Sequence, residues 1–228
     1  MTRGVSDRLR APYGQLAPIS IEAPGRSAYA IGMSAALKLR HVSVEDYLTG
    51  ELASQVKHEY LGGFVYAMAG ATNAHNLIAS NVLGVLHARL RGKPCRPYNS
   101  DAKIRVKLPT HVRFYYPDAS VICDSNPPND SFQDQPVVIA EVLSHKTRRI
   151  DQGEKKDAYL TIPTLQTYLL IEQDCPAVTV YRRTDQGFVQ EAHTELEAII
   201  PLVEIGAELP LAEIYEGVEF VPEPEEDL

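Results

Sequence analysis

The seven residues Val137-Val138-Ile139-Ala140-Glu141-Val142-Leu143 constrain this chain more than any other stretch. A short, nearly continuous apolar run is the mark of a central β-strand covered on both faces. Such a strand needs partners on both edges and a packed layer above and below. The 228 residues suffice for one globular domain with that core, and are too few for two generous ones. An apolar content of 44% excludes a collagen-like or wholly disordered chain. No uninterrupted apolar stretch reaches the roughly 18 residues of a spanning helix, so no membrane partner is expected.

The rest of the pattern supplies those partners. Ser43, with Asp46 three residues on, predicts a helix start before Val44-Glu45-Asp46-Tyr47-Leu48. Glu59-Tyr60-Leu61 and Phe64–Met68 flank Gly62-Gly63 as a tight hairpin. A helix opening at Thr72 or Asn73 carries Ile78, Val82, Val85, Leu86 and Leu90 on one stripe and ends at Gly92-Lys93-Pro94. Period-two alternation then puts Ala102, Ile104, Val106 and Leu108 on one strand face. Asp101, Lys103, Arg105 and Lys107 fall on a polar, solvated one. Phe114 to Cys123 reads as a single strand containing Pro117-Asp118, and 124–136 as a polar loop. A helix at about 151–162, stopped by Pro163, precedes strands at Leu165–Glu172 and Val178–Arg183. The remainder makes a strand and a short terminal helix or turn. This order predicts a single α/β domain over 36–220 built on one mixed sheet. Residues 1–35 read as a disordered extension, with Met33 an alternative start, and 221–228 as an acidic tail.

Charge is unevenly spread. From Thr184 onward there are 13 acids and no Lys or Arg, whereas residues 1–183 hold 22 basic and 17 acidic groups. A net charge of −8 argues against nonspecific coating of nucleic acid but leaves room for a local basic face. Arg89, Arg91, Lys93, Lys103 and Arg105, with Tyr98, Tyr115 and Tyr116 interleaved, are the candidates for it. Cys95, Cys123 and Cys175 form no CxxC pair, and a disulfide scaffold is not expected at this density. Arg3, Arg8 and Arg10 have no apolar segment behind them, so no secretory signal is read and a cytoplasmic location is expected.

Glu141 is the residue in the central strand that apolar packing does not explain. A buried carboxylate costs several kcal/mol unless paired, hydrogen-bonded or metal-bound, and pairing with a neighbouring Arg or Lys competes evenly with metal binding. Asp118, 23 residues earlier, shifts that balance, because adjacent strands can set the two carboxylates side by side. Two carboxylates, a carbonyl and waters make a hard oxygen site suited to Mg²⁺. Lys155 and Tyr159 share a helix face beyond Glu141; Asp151 precedes Lys155 by four, so an ordinary surface ion pair is the competing reading. Glu59 and Asp101 are auxiliary carboxylates, with Lys103 beside the latter. His75 and Asn76 read as capping or packing residues. No GxSxG, GxxxxGK, HExxH or GxGxxG is present.

Tyr116-Pro117-Asp118 followed by Glu141-Val142-Leu143 resembles the PD-(D/E)XK nuclease superfamily. The wider string is closer still. Glu59-Tyr60-Leu61-Gly62-Gly63, Met68-Ala69-Gly70, Ala74-His75-Asn76, Ser100-Asp101, Asp151-Gln152-Gly153-Glu154-Lys155 and Ile162-Pro163-Thr164 run in the order of the Uma-two restriction-endonuclease family. The likeness covers about residues 41–216. It implies a restriction-endonuclease-like fold, a mixed β-sheet flanked by helices, with Asp118, Glu141 and the Val142 backbone carbonyl as ligands of Mg²⁺ or Mn²⁺. The superfamily's strand lysine, two residues after the glutamate, is Leu143 here, and Lys155 is where this family's pattern places one. The implied activity is phosphodiester hydrolysis in DNA by Asp118, Glu141 and Lys155, with pairing as a homodimer a way to cut both strands. Two alternatives remain: a catalytically degenerate nuclease fold binding nucleic acid or protein, and hydrolysis of a small phosphate ester.

Overall fold

The structure is a computed structural model and describes residues 41–68, 70–144 and 148–220. The expected 1–35 extension and 221–228 tail lie outside the described residues. In chain order the elements are α1 (Val44–Ala53), β1 (His58–Leu61), β2 (Phe64–Ala67), α2 (Asn73–Leu90), β3 (Arg96–Asn99), β4 (Lys103–Lys107) and β5 (Val112–Tyr115). Then come β6 (Ala119–Ile122), β7 (Phe132–Gln133), β8 (Pro136–Leu143), α3 (Arg148–Ile150), a wide π-turn at Asp151–Lys155 and α4 (Lys156–Tyr159). The chain continues through β9 (Thr167–Glu172), β10 (Val178–Thr184), β11 (Gly187–His193), β12 (Ile199–Leu202), β13 (Ala207–Pro210) and α5 (Leu211–Ile214).

Together these make one α/β domain with mixed sheets and flanking helices. The apolar run is a central strand, as its pattern predicts: β8 pairs antiparallel with β6 and parallel with β9 in the six-stranded order β11-β10-β9-β8-β6-β3. Val138, Ala140 and Val142 point to one side, against the Ile78, Val82, Val85, Leu86 and Leu90 stripe of α2. Ile139 and Leu143 point to the other, against Tyr115, Tyr159, Leu165 and Tyr168. Ser43 and Thr72 cap α1 and α2 by accepting from the amides of Asp46 and His75, which satisfies donors a helix start leaves open. The β1–β2 turn has φ of 57° at Gly62 and 107° at Gly63, angles that favour glycine.

Where one mixed sheet was expected there are two large ones. A second, five-stranded sheet runs β2-β1-β5-β4-β7, and β12-β13 form a separate ribbon. The segment expected as one strand from Phe114 to Cys123 divides at Tyr116-Pro117-Asp118, β5 entering one sheet and β6 the other. Pro117 has no amide to give a ladder, so the chain changes sheets there. Lys103, expected on a solvated face, is buried, because β7 pairs across β4 beside it and the Tyr116 ring covers its ammonium. Cys95 and Cys123, for which no pairing was expected, are disulfide-bonded; they flank the paired residues Arg96 and Ile122 of β3 and β6.

Candidate active site

Asp118 sits where β6 stops. The last ladder pair is Ala119 with Ala140, so Asp118 falls opposite Glu141 at the next step of the antiparallel register. Beyond that point β8 has no partner strand on this edge, and the Asp118 side chain takes its place: the Val142 amide donates to Asp118 Oδ2 at 2.7 Å. The Val142 carbonyl meets the His75 ring, whose Nε2 is also 3.3 Å from Asp118 Oδ2.

The other side of Glu141 meets the helical segment after β8. The π-turn followed by α4 brings Asp151, Lys155 and Tyr159 to one face, and all three are buried. Lys155 Nζ lies 3.0 Å from Glu141 Oε1, 3.1 Å from Glu59 Oε1 on β1 and 3.6 Å from Asp151 Oδ1. Tyr159 donates its hydroxyl to the same Glu141 Oε1 at 3.1 Å, and Tyr168 donates to the Asp151 carbonyl. The Tyr115 ring lies 5.6 Å from the Lys155 ammonium.

These contacts fix the charges. Burial raises the Glu141 carboxyl well above the ordinary range, with Lys155 opposing and Asp151 and Asp118 adding to the rise. Burial works against the Lys155 charge, but Glu141, Glu59 and Asp151 outweigh it and hold the ammonium protonated. Burial also keeps Tyr159 a phenol, so it remains a donor. For His75, burial opposes the charged ring; the Asp118 hydrogen bond and charge, with Val142 and Asp151, lift its pKa above the usual value.

The structure thus gathers Asp118, Glu141, Val142, Lys155, Glu59 and Tyr159. It leaves Asp101 out, exposed in the β3–β4 turn and salt-bridged to Lys57 at 2.7 Å. The five candidate basic residues do not share one element. Arg89 pairs with Glu213 at 2.8 Å, Lys93 donates to the Gly206 carbonyl, Arg91 is exposed past the end of α2, and Arg105 grips Asp134 from β4. His75, expected as a capping or packing residue, instead sits beside Asp118. Its spacing held the signal, since 75, 78, 82 and 85 continue the stripe of α2 by one turn toward β8.

Among the described residues no three His, Cys, Asp or Glu side chains are already gathered at metal-ligand distance. Each acid nevertheless commits one oxygen to the protein. Asp118 Oδ1 and Glu141 Oε2 accept no hydrogen bond from the described residues. Two carboxylate oxygens beside a backbone carbonyl are a donor set that fits a hard divalent ion.

Comparison with known proteins gives the family and the fold. A profile of the Uma2 family, described as "Putative restriction endonuclease", matches residues 44–212. The uncharacterized protein slr1290 of Synechocystis sp. strain PCC 6803 is 32% identical over 180 residues, which span 78% of this chain and 94% of the relative. A second uncharacterized protein of that organism, sll1609, is 32% identical over 145 residues, 62% of this chain and 81% of the relative. The fold is shared with a crystal structure from Anabaena variabilis ATCC 29413, titled a "putative nuclease belonging to DUF820". The TM-score is 0.61 at 18% identity, over 77% of this chain and 98% of that one.

Proposed function

We propose, from the premise that this chain belongs to the Uma2 family, that it is a divalent-metal-dependent endonuclease hydrolysing phosphodiester bonds in DNA. The observation that carries the reading is the buried contact of Lys155 with Glu141, set directly across from Asp118. Asp118, Glu141 and the Val142 carbonyl are the proposed ligands, and Mg²⁺ or Mn²⁺ the proposed ion. When bound, such an ion orients the attacking water and neutralises charge growing on phosphorus.

The protein's own groups divide the remaining work. Lys155 holds its proton against burial, so it suits stabilisation of an anionic transition state and not proton abstraction. Tyr159 and Lys155 both hold Glu141 Oε1, which fixes that carboxylate and leaves Oε2 without a hydrogen bond from the described residues. The Asp118 carboxylate is oriented by the Val142 amide. Leu143 occupies the superfamily's lysine position and is core; the helix lysine reaching Glu141 supplies the cation instead. That replacement is why catalysis is favoured over a binding module that has lost its chemistry. The same reading has the enzyme acting in the cytoplasm, as a homodimer where both strands are cut.

The test is nicking of supercoiled plasmid by the full chain with Mg²⁺ or Mn²⁺. Cleavage should vanish with chelator and in Asp118→Ala or Glu141→Ala, and fall about 10²–10³-fold in Lys155→Met. Cleavage that survives chelation or Asp118→Ala would overturn the metal reading. DNA retention by wild type with no cleavage under any ion would point to the binding module.

A further inference from the structure

We infer that His75 is itself a ligand of the proposed ion, through Nε2, making the site a mixed nitrogen–oxygen one that takes Mn²⁺ in preference to Mg²⁺. The inference rests on the metal-dependent reading above and adds a side chain to it. His75 Nε2 lies 3.3 Å from Asp118 Oδ2, and the same ring meets the Val142 carbonyl. Those groups belong to two of the three proposed ligands, so an ion held by Asp118 Oδ1 and that carbonyl binds beside the imidazole, which it displaces or takes as a donor.

Displacement is opposed by the helix. His75 is the third residue of the 18-residue α2, and its amide is tied to the Thr72 cap. One turn on, Ile78 is fully buried in the cluster that includes Ala140 and Val142 of β8, and Val82, Val85, Leu86 and Leu90 continue that contact. A helix seated along its whole stripe cannot withdraw its first turn without opening that core. The ring is already 88% buried by its side-chain exposure of 12%, with little solvent to turn into. Coordination therefore keeps the imidazole where it is: the ion takes the Nε2 lone pair, and the neutral ring's single N–H proton sits on Nδ1.

That arrangement loses no hydrogen bond elsewhere on the ring. Nδ1 is buried and has no hydrogen-bond partner among the described residues, so placing the proton there breaks no bond among them. Asp118 Oδ1 and Glu141 Oε2 complete the donor set. A neutral imidazole is a softer donor than carboxylate or carbonyl. It adds more affinity for Mn²⁺, Co²⁺ or Fe²⁺ than for Mg²⁺.

The experiment is pulsed electron paramagnetic resonance on the full chain loaded with Mn²⁺, beside calorimetric titration of Mn²⁺ and Mg²⁺. Wild type should show ¹⁴N modulation that changes when the protein is grown with ¹⁵N-histidine and disappears in His75→Ala. Calorimetry should give that variant a Mn²⁺ affinity lower by about tenfold or more, with a smaller change for Mg²⁺. Bound Mn²⁺ without nitrogen modulation in wild type would overturn the assignment while leaving the metal reading in place, and it needs no variant to fold. Equal affinities in wild type, His75→Ala and His75→Asn would do the same. No binding of either ion by folded wild type would remove the metal reading and this inference with it.

Discussion

The Lys155 ammonium faces Glu141, Asp151 and the partly buried Glu59, and Glu141 is buried among them. Its carboxyl is raised by burial, so between the ordinary glutamate value and its own the folded protein binds more protons than the unfolded one. Stability contributed by this group therefore falls as pH rises through that window. Glutamine does not titrate, and in Glu141→Gln the Lys155 ammonium still has Glu59 and Asp151. Glu141→Gln should accordingly be the more stable protein at pH 8, by about 1 kcal/mol, with the gap narrowing toward pH 5. It should also lose metal affinity, the pattern of a residue kept for function at the expense of stability. Urea denaturation at the two pH values decides it. A gap that is flat or that widens on acidification would mean Glu141 is held ionised without cost.

At the scale of elements, the seating of α2 against β8 sets the geometry of Asp118, Val142 and His75. Ile78→Ala opens a cavity in that seam and should cost about 3 kcal/mol, against about 1 for Ile78→Val. Metal affinity should fall further in the alanine variant if the helix start shifts. Chemical denaturation and calorimetry on the same samples would show a stability loss without an affinity loss if α2 does not position the site. The stripe of α2, its Thr72 cap and the Gly62-Gly63 hairpin were legible because each is a local pattern with a local cause. Glu141 was legible because a carboxylate in an apolar strand needs a partner, Asp118 because adjacent strands can set it beside Glu141, and Lys155 through the family's pattern. Strand β3 was not, since Arg96-Pro97-Tyr98-Asn99 carries no alternation and forms only by pairing at an edge with β6. The pairing of Cys95 with Cys123 was hidden for the same reason: it follows from that non-local register. Lys103 was misplaced on a solvated face because alternation tells which residues share a face but not what later covers it.

At the scale of the whole molecule, a net charge of −8 must be reconciled with the proposed DNA substrate. The negative excess all lies after Thr184, and four of its acids, Glu223, Glu225, Glu226 and Asp227, fall in the last eight residues. Some of the rest serve the fold: Glu213 holds Arg89, and Glu191 holds Arg182. Acids that neutralise such cations remove them from any DNA-facing surface, which makes the long-range field matter more for encounter. Ending the chain at 220 would bring the net charge to −4. Repulsion between exposed charges reaches about 30 Å at 0.01 M salt and only about 8 Å at 0.15 M. The truncated protein should therefore bind a duplex oligonucleotide about three- to tenfold more tightly at low ionic strength, through faster association. Near physiological salt the two proteins should converge. Fluorescence anisotropy over a salt series separates the possibilities. Equal affinities at 0.01 M would mean the terminal acids do not act on the approach of DNA. A difference that persisted at 0.15 M would mean they compete for a short-range contact, and not through the field alone.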